Sequence, residues 1–471
     1  MKHVHAFIDG KRVPGTAHYE NISPADGSVI STVIRSGQTE VDAAVIAGRK
    51  AQPNWANTPT EKRADIMEAF AHAIREHSTE LAQLDCEDTG KPLSQARTDA
   101  IVTARYFGFY GRAIESYYGL HLPVDPAFHA YTRREPLGVC GSVIAWNYPL
   151  QLFGRAVAPA VVTGNSVVLK PADETPRSAV RLAELALEVG FPPGVINVVP
   201  GIGAEAGAAL AAHPGIDHVG FVGSNPIGIS IAESAAKNVV PTVLELGGKS
   251  PHIVFADADL DKAATFITKG ILQNAGQTCS AGSRLLVEES VAENLLERLK
   301  RNFENVTIGA GSKDPDLGPL ISVKQQTRVS EMVQRATGTV ITGGKVPDGA
   351  GDGAYYLPTI ISDVKADSEI FQQEVFGPVI VTRTFADEAE AVELANATDY
   401  ALMAAVWTRD VSRAHKIASR VRSGQVYVNS FGAGGGVEYP FGGFGKSGYG
   451  REKGYEALDS YTATKTVIVS I

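Results

Sequence analysis

Hydrophobic positions fall into two regimes along the chain. Residues 60–77 place Ile66, Phe70, Ala73 and Ile74 at helical spacing with charges between them, which predicts an amphipathic helix. The first hundred or so residues read as mostly helical after a short β start. From about residue 138, short apolar, β-branched runs alternate with helical stretches. Strands are predicted at 141–145, 166–170, 195–199 and 218–222. Between the second and third, a helix has Thr175 as a cap, Pro176 in its first position and Gly190 as its stop. Alternation of this kind with near-continuous apolar strands predicts a parallel sheet covered on both faces, an architecture of the dinucleotide-binding type. A second α/β stretch follows Glu245, with strands at 252–255, 284–287 and 378–382. The β-prone tail, 464–471, ends without a helix and is expected to pair with something, a partner subunit being one option.

The length of 471 residues predicts two to three domains at roughly 100–200 residues each. Apolar residues at 44% and charged residues at 20% fit an ordinary globular chain that needs no staples. The net charge of −9, without a Lys/Arg run, argues against a nucleic-acid partner. No apolar run is long enough to predict a membrane span, and the first residues lack the apolar core of a signal peptide, so a cytoplasmic protein is expected. The three cysteines, Cys86, Cys140 and Cys279, form no Cys-x-x-Cys pair or Cys/His cluster, and no metal site is predicted.

Three glycine-rich stretches bear on chemistry. Residues 200–207 follow a strand and open a helix, but the dinucleotide fingerprint has one residue fewer before its last glycine. Residues 221–228 join a strand to a helix, with Ser224 or Asn225 as N-cap and Pro226 in the first turn. The backbone N–H groups there suit an anion such as a pyrophosphate, and a plain capped helix is the alternative. Residues 245–250 end like a phosphate loop, but Val243 stands where that loop needs glycine, which rejects the triphosphatase reading. Cys279 lies among small and polar residues in Gln273-Asn-Ala-Gly-Gln-Thr-Cys-Ser280, a poor core environment and a suitable one for an accessible nucleophile. Cys86 and Cys140 sit in apolar-patterned segments and read as structural.

Several segments together resemble the NAD(P)-dependent aldehyde dehydrogenase superfamily, in order and over nearly the whole chain. They are Thr89-Gly-Lys-Pro92, Trp146-Asn-Tyr-Pro149, Val167-Val-Leu-Lys-Pro171, Phe221-Val-Gly-Ser224 and Leu244-Glu-Leu-Gly-Gly-Lys-Ser-Pro251. Gly276-Gln-Thr-Cys-Ser280, Glu374-Val-Phe-Gly-Pro378, Pro440-Phe-Gly-Gly443 and Lys446-Ser-Gly-Tyr-Gly-Arg451 follow. The resemblance implies that Cys279 is the nucleophile that forms a thiohemiacetal and then a thioester. It makes Asn147 the oxyanion donor, a role typically worth about 3–4 kcal/mol, and Glu245 the base that activates hydrolytic water. Family members that pass the acyl group to coenzyme A generally lack this glutamate, so a free acid is the implied product.

For the cofactor, the resemblance places Lys170 on the adenosine ribose and Ser224, with Gly223, at the pyrophosphate. Glu374 falls on the nicotinamide ribose, with Phe376 and Trp146 near that end. Asp173, where NAD-preferring members often carry Glu, implies NAD over NADP. Val222 and Ala145 depart from common Thr and Pro, and the first weakens the expected anchoring of the nicotinamide. Tyr148, Leu152 and Phe441 are implied to line the aldehyde tunnel, with residues 431–439 as its outer wall. Arg155, eight residues after Asn147, implies a semialdehyde carboxylate or an aromatic aldehyde; an arginine paired within the protein is the alternative.

The implied fold is α/β, with a Rossmann-type cofactor domain (1–117 and 137–245), an α/β catalytic domain (246–453) and a small β oligomerisation arm (118–136 and 454–471). That arm implies a homo-oligomer, a dimer or tetramer. Two other classes stay open: a non-catalytic binding or structural protein on this fold, and a thiol esterase.

Overall fold

The computed structural model describes residues 2–432 and 436–471. The fold is α/β, built among the described residues on two large sheets and three small ones. In the first sheet, five strands run parallel in the order Thr242–Glu245, His218–Val222, Val139–Val143, Ser166–Lys170, Ile196–Val198. Ala6–Ile8 and Lys11–Val13 extend one edge antiparallel, and Gly448–Tyr449 extends the other. The strands are buried on both faces, as their continuous apolar runs require. The second sheet places Pro251–Val254 between Arg284–Glu288 and Met403–Trp407. Gln425–Val428, Val379–Phe385 and Thr359–Ser362 continue it in parallel, and Thr339–Thr342 closes it antiparallel.

The helix over Thr60–Glu76 forms as its spacing predicts, burying Phe70, Ala73 and Ile74. The helix after the second parallel strand covers Arg177–Glu188, but Thr175 does not cap it. Thr175 is buried, its N–H closes a turn onto the Ala172 carbonyl, and its hydroxyl has no partner. The helix therefore starts two residues later, with Pro176 in the capping position. Gly190 follows the helix with φ +107°, the left-handed geometry expected of a stop.

The tail finds its partner within its own chain. Thr462–Ser470 pairs antiparallel with Phe128–Pro136 over nine residues, and His121–Leu122 completes a three-stranded sheet. The tail strand is one edge of that sheet; Ile468 on it is 65% exposed and Ile471, just beyond it, 84%.

The parallel strands of the first sheet depart in opposite directions from Val139–Val143 and His218–Val222. A crevice opens beyond the carboxyl ends of strands at such a switch point. Asn147 follows one of these strands and Ser224 the other, and Glu245 ends the next.

Candidate active site

Cys279 sits on the loop between the helix Leu260–Leu272 and the strand Arg284–Glu288. The approach is strained: Asn274, Ala275 and Gly276 have φ of 50°, 54° and 72° in succession. A left-handed alanine costs about 1–3 kcal/mol and persists only where its surroundings fix it. Here backbone does so, since a Cβ at Gly248 would collide with the Cys279 carbonyl oxygen. Gly248 thus lets the strand end that carries Glu245 and the cysteine loop pack together. Cys279 is partly exposed and unpaired, and burial pushes its thiol up to about 12, with Glu374, Glu245 and Glu452 adding to the rise and Arg155 opposing it.

Asn147 is 5% exposed. Its backbone carbonyl accepts from Lys91 Nζ and Asn274 Nδ2, both at 2.9 Å. Its own Nδ2 donates to the Gln277 carbonyl at 3.0 Å, two residues before the cysteine. That bond uses one of two amide hydrogens and aims the side chain at the cysteine loop. Lys91 Nζ is also 2.6 Å from Asp99, 3.6 Å from Asp85 and 4.4 Å from the centre of the Tyr148 ring. Tyr148 shares a 2.8 Å hydrogen bond with Thr278. The Thr89–Pro92 motif gave no sign of this role for Lys91, whose partner lies 56 residues away.

Glu245 is 1% exposed and neither carboxyl oxygen has a hydrogen-bond partner. Burial, then Glu452, drives its carboxyl well above the usual range, while Arg155, Arg451 and Lys453 pull the other way. Its space is made by Gly442, where a Cβ would lie 2.8 Å from Oε1.

One cavity of about 170 Å³ joins these groups. Cys279, Glu245 and Asn147 line it together with Tyr148, Leu152 and Arg155. Trp146, Gly223, Ser224, Glu374 and Phe376 line it as well. Phe441 is not part of that lining; it is buried against Arg155, whose guanidinium carbon lies 4.6 Å from the ring centre. Residues 433–435 of the expected outer wall lie outside the described residues, and Phe431 is buried against His252. A larger cavity of about 730 Å³, lined by Gln95, Asp99, Gln151, Lys269 and Gln273, shares the Pro149–Val162 helix but none of Cys279, Glu245 or Asn147. The thiol, amide and carboxyl thus share the smaller one.

Several features suit a dinucleotide. Ser224 occupies the N-cap of the helix Asn225–Ala236 without a side-chain capping bond. Glu374 accepts from the Gly248 N–H at 3.0 Å, and burial lifts its carboxyl to about 7. Phe376 packs edge-on to Trp146 at 5.2 Å. Lys170 and Asp173 form an ion pair at the end of the Ser166–Lys170 strand, and Asp173 accepts from the Gly203 N–H at 3.2 Å. The imperfect fingerprint at 200–207 thus meets the two ribose candidates. Among the described residues no acidic, His or Cys cluster could hold a metal, and no helix is long and apolar enough to cross a membrane.

Arg155 takes the internally paired alternative: it forms an ion pair with Glu452. Glu452 stands one residue beyond the last motif noticed in the sequence, and nothing in its spacing from Arg155 announces the contact.

The model of the aldehyde dehydrogenase family matches residues 12–467. An aldehyde dehydrogenase of Emericella nidulans is 39% identical over 98% of this chain and 94% of its own length. A betaine aldehyde dehydrogenase of Sinorhizobium fredii is 39% identical over 99% of this chain and 97% of its own. The solved NAD+ complex of an aldehyde dehydrogenase from Bacillus cereus superposes with a TM-score of 0.98 at 39% identity, covering 100% of this chain and 97% of that one. With the thiol, amide and carboxyl gathered in one cavity, these full-length likenesses establish that the chain belongs to the aldehyde dehydrogenase family.

Proposed function

We propose that this protein oxidises a neutral aldehyde, with an aromatic or apolar body, to its carboxylic acid on Cys279, using NAD and water. The family reaction is NAD-dependent aldehyde oxidation. The observation that carries the residue assignment is the convergence of Cys279, Asn147 and Glu245 on one small buried cavity. The Cys279 thiol gives its proton to water and its sulfur adds to the carbonyl carbon, forming the C–S bond and moving the electron pair onto oxygen. The second amide hydrogen of Asn147 meets that oxygen from a side chain aimed by its bond to the Gln277 carbonyl, on a backbone fixed by Lys91 and Asn274. Bound NAD supplies the hydride acceptor. The hydride leaves carbon as the carbonyl re-forms, and a thioester remains on Cys279. Glu245, ionised in this step, takes a proton from water as the water attacks, and Cys279 departs as the acid forms.

NAD fits the residues present: Lys170 and Asp173 for the adenosine ribose, the Ser224 helix start for the pyrophosphate, Glu374 for the second ribose. Asp173 supports NAD over NADP, since a second carboxylate-facing phosphate would be repelled. Tyr148, Trp146 and Phe376 give the cavity aromatic walls, while Arg155, the cation that acts on Cys279, is already paired with Glu452. The two large sheets support the division into a cofactor domain (1–117 and 137–245) and a catalytic domain (246–453). The open, apolar edge of the sheet that holds the tail supports an arm (118–136 and 454–471) that pairs with another copy, in a dimer or tetramer. Buried, unpaired Cys86 and Cys140 suit a reducing, cytoplasmic setting.

The test is NADH formation from NAD with short aliphatic, aromatic and ω-carboxylated aldehydes, repeated with NADP and with Cys279→Ala. Turnover with NAD that drops by more than about 10⁴-fold in the variant supports the reading. Equal turnover in the variant would sink it.

A further inference from the structure

Two guanidiniums line the catalytic cavity: Arg328 donates to the Glu374 carbonyl at 3.2 Å, and Arg155, the one that acts on Cys279, already has an anion from the protein. Arg155 lies two helical turns beyond Asn147 on the Pro149–Val162 helix and lines the cavity with Cys279. Its Nη2 forms an ion pair with Glu452, and the two side chains are 11% and 8% exposed. The Glu452 backbone is fixed against Phe441. Its N–H donates to the Phe441 carbonyl at 2.7 Å and its own carbonyl accepts from the Phe441 N–H at 2.6 Å. The Phe441 ring holds Arg155 in turn, and Lys453 Nζ also lies 4.9 Å from that ring's centre. Ring, guanidinium and carboxylate form one packed unit behind the thiol.

We infer that Glu452 is a specificity-determining residue: it occupies Arg155 as a built-in carboxylate and so turns the cavity against aldehydes that carry a carboxylate of their own. The inference rests on the reading of this cavity as the catalytic site. A substrate carboxylate that reached Arg155 would have to displace Glu452. That would leave a buried anion unpaired, next to a Glu245 whose ionisation it already opposes. A neutral aldehyde meets no such competition. The contact is indirect with respect to chemistry: Glu452 acts through Arg155 and makes no bond to the reacting atoms.

The experiment compares kcat/KM for matched pairs, butanal with 4-oxobutanoate and benzaldehyde with 4-formylbenzoate, in the full-length enzyme with saturating NAD. This ratio covers steps up to thioester formation, so changes in Glu245-assisted hydrolysis cancel. The wild type is expected to favour the neutral member of each pair by about tenfold or more. Glu452→Gln is expected to raise the carboxylated-to-neutral ratio by about tenfold to a hundredfold, mainly through KM for the carboxylated member. Thermal melting and quenching of tryptophan fluorescence by NAD confirm that the variant is folded. A wild type that prefers the carboxylated members overturns the inference, as does an unchanged ratio in folded Glu452→Gln. If that variant does not fold, Arg155→Met combined with Glu452→Gln replaces the whole pair. An unchanged ratio there supports the inference, and a fall of about tenfold or more overturns it by showing that Arg155 binds the substrate carboxylate in the wild type. Absence of NADH from every aldehyde would instead sink the catalytic reading on which the inference rests.

Discussion

Two buried polar clusters meet at Asn147, and they are built on opposite terms. Beneath it, Lys91 is fully enclosed and its ammonium holds Asp99, Asp85 and the Asn147 carbonyl. Nearby, the equally buried Arg177 binds Asp88, Glu87 and the Leu84 carbonyl. Above it, in the cavity, both oxygens of Glu245 and the Oδ1 of Asn147 have no hydrogen-bond partner. Buried groups left unpaired cost free energy, and a fold tolerates them where a ligand or a water completes the set. The lower cluster uses its charges to fix position. The upper one keeps its groups available and is destabilised by doing so.

That contrast is sharpened most by Glu245→Gln, which keeps size and removes the base. One equivalent of NADH per site should form in a burst, followed by a steady rate lower by roughly 10²–10⁴. Intact-protein mass spectrometry should then find the acyl group on Cys279, and a steady rate equal to that of the wild type would reject Glu245 as the base. Lys91→Met strikes the other cluster. It strands buried carboxylates and should cost about 3–5 kcal/mol of stability in a denaturant titration. A loss below about 1 kcal/mol would mean the lower cluster is not the anchor described. The smallest effect is graded by pH. With its thiol pushed up to about 12 in the free enzyme, Cys279 is protonated at neutrality, and its thiolate fraction grows as pH rises. Alkylation by iodoacetamide should therefore accelerate by about tenfold per pH unit from 7 to 10 without levelling. A plateau near pH 7 would show that the cavity stabilises the thiolate before any cofactor binds.

The clusters also differ in how far the sequence revealed them. Cys279 was legible from its small, polar surroundings, whereas Asn147 and Glu245 were legible only because their short runs fall in order among the motifs that carry the family resemblance. The alternating pattern after residue 138 likewise placed four of the five parallel strands of the first sheet to within two residues, but it missed Thr242–Glu245 there and Thr359–Ser362, Met403–Trp407 and Gln425–Val428 in the second sheet. Lys91 and Glu452 were not legible in these roles. Their partners come from distant segments brought together by packing, and a lysine or glutamate beside glycines carries no sign of which distant group it will meet. The tail strand shows the same limit: β propensity was plain, but its partner at 128–136 was a matter of topology. Arg155 falls between. Its place on the cavity followed from the family resemblance, whereas its ion pair depended on a residue almost 300 positions away.

The short Gly448–Tyr449 strand has a consequence for anyone who recombines such enzymes. It comes from the later part of the chain, yet it pairs with the strand that ends in Glu245, at the edge of the first sheet. A chimera cut at residue 245 would join one parent's Glu245 to the other parent's edge strand, and the mismatch would fall on a carboxyl group with no hydrogen bond of its own to keep it in place. The heritable unit is thus discontinuous. A cofactor domain moved between relatives should travel with residues 440–454, which also carry Gly442 and Glu452, even though they lie some 200 positions downstream.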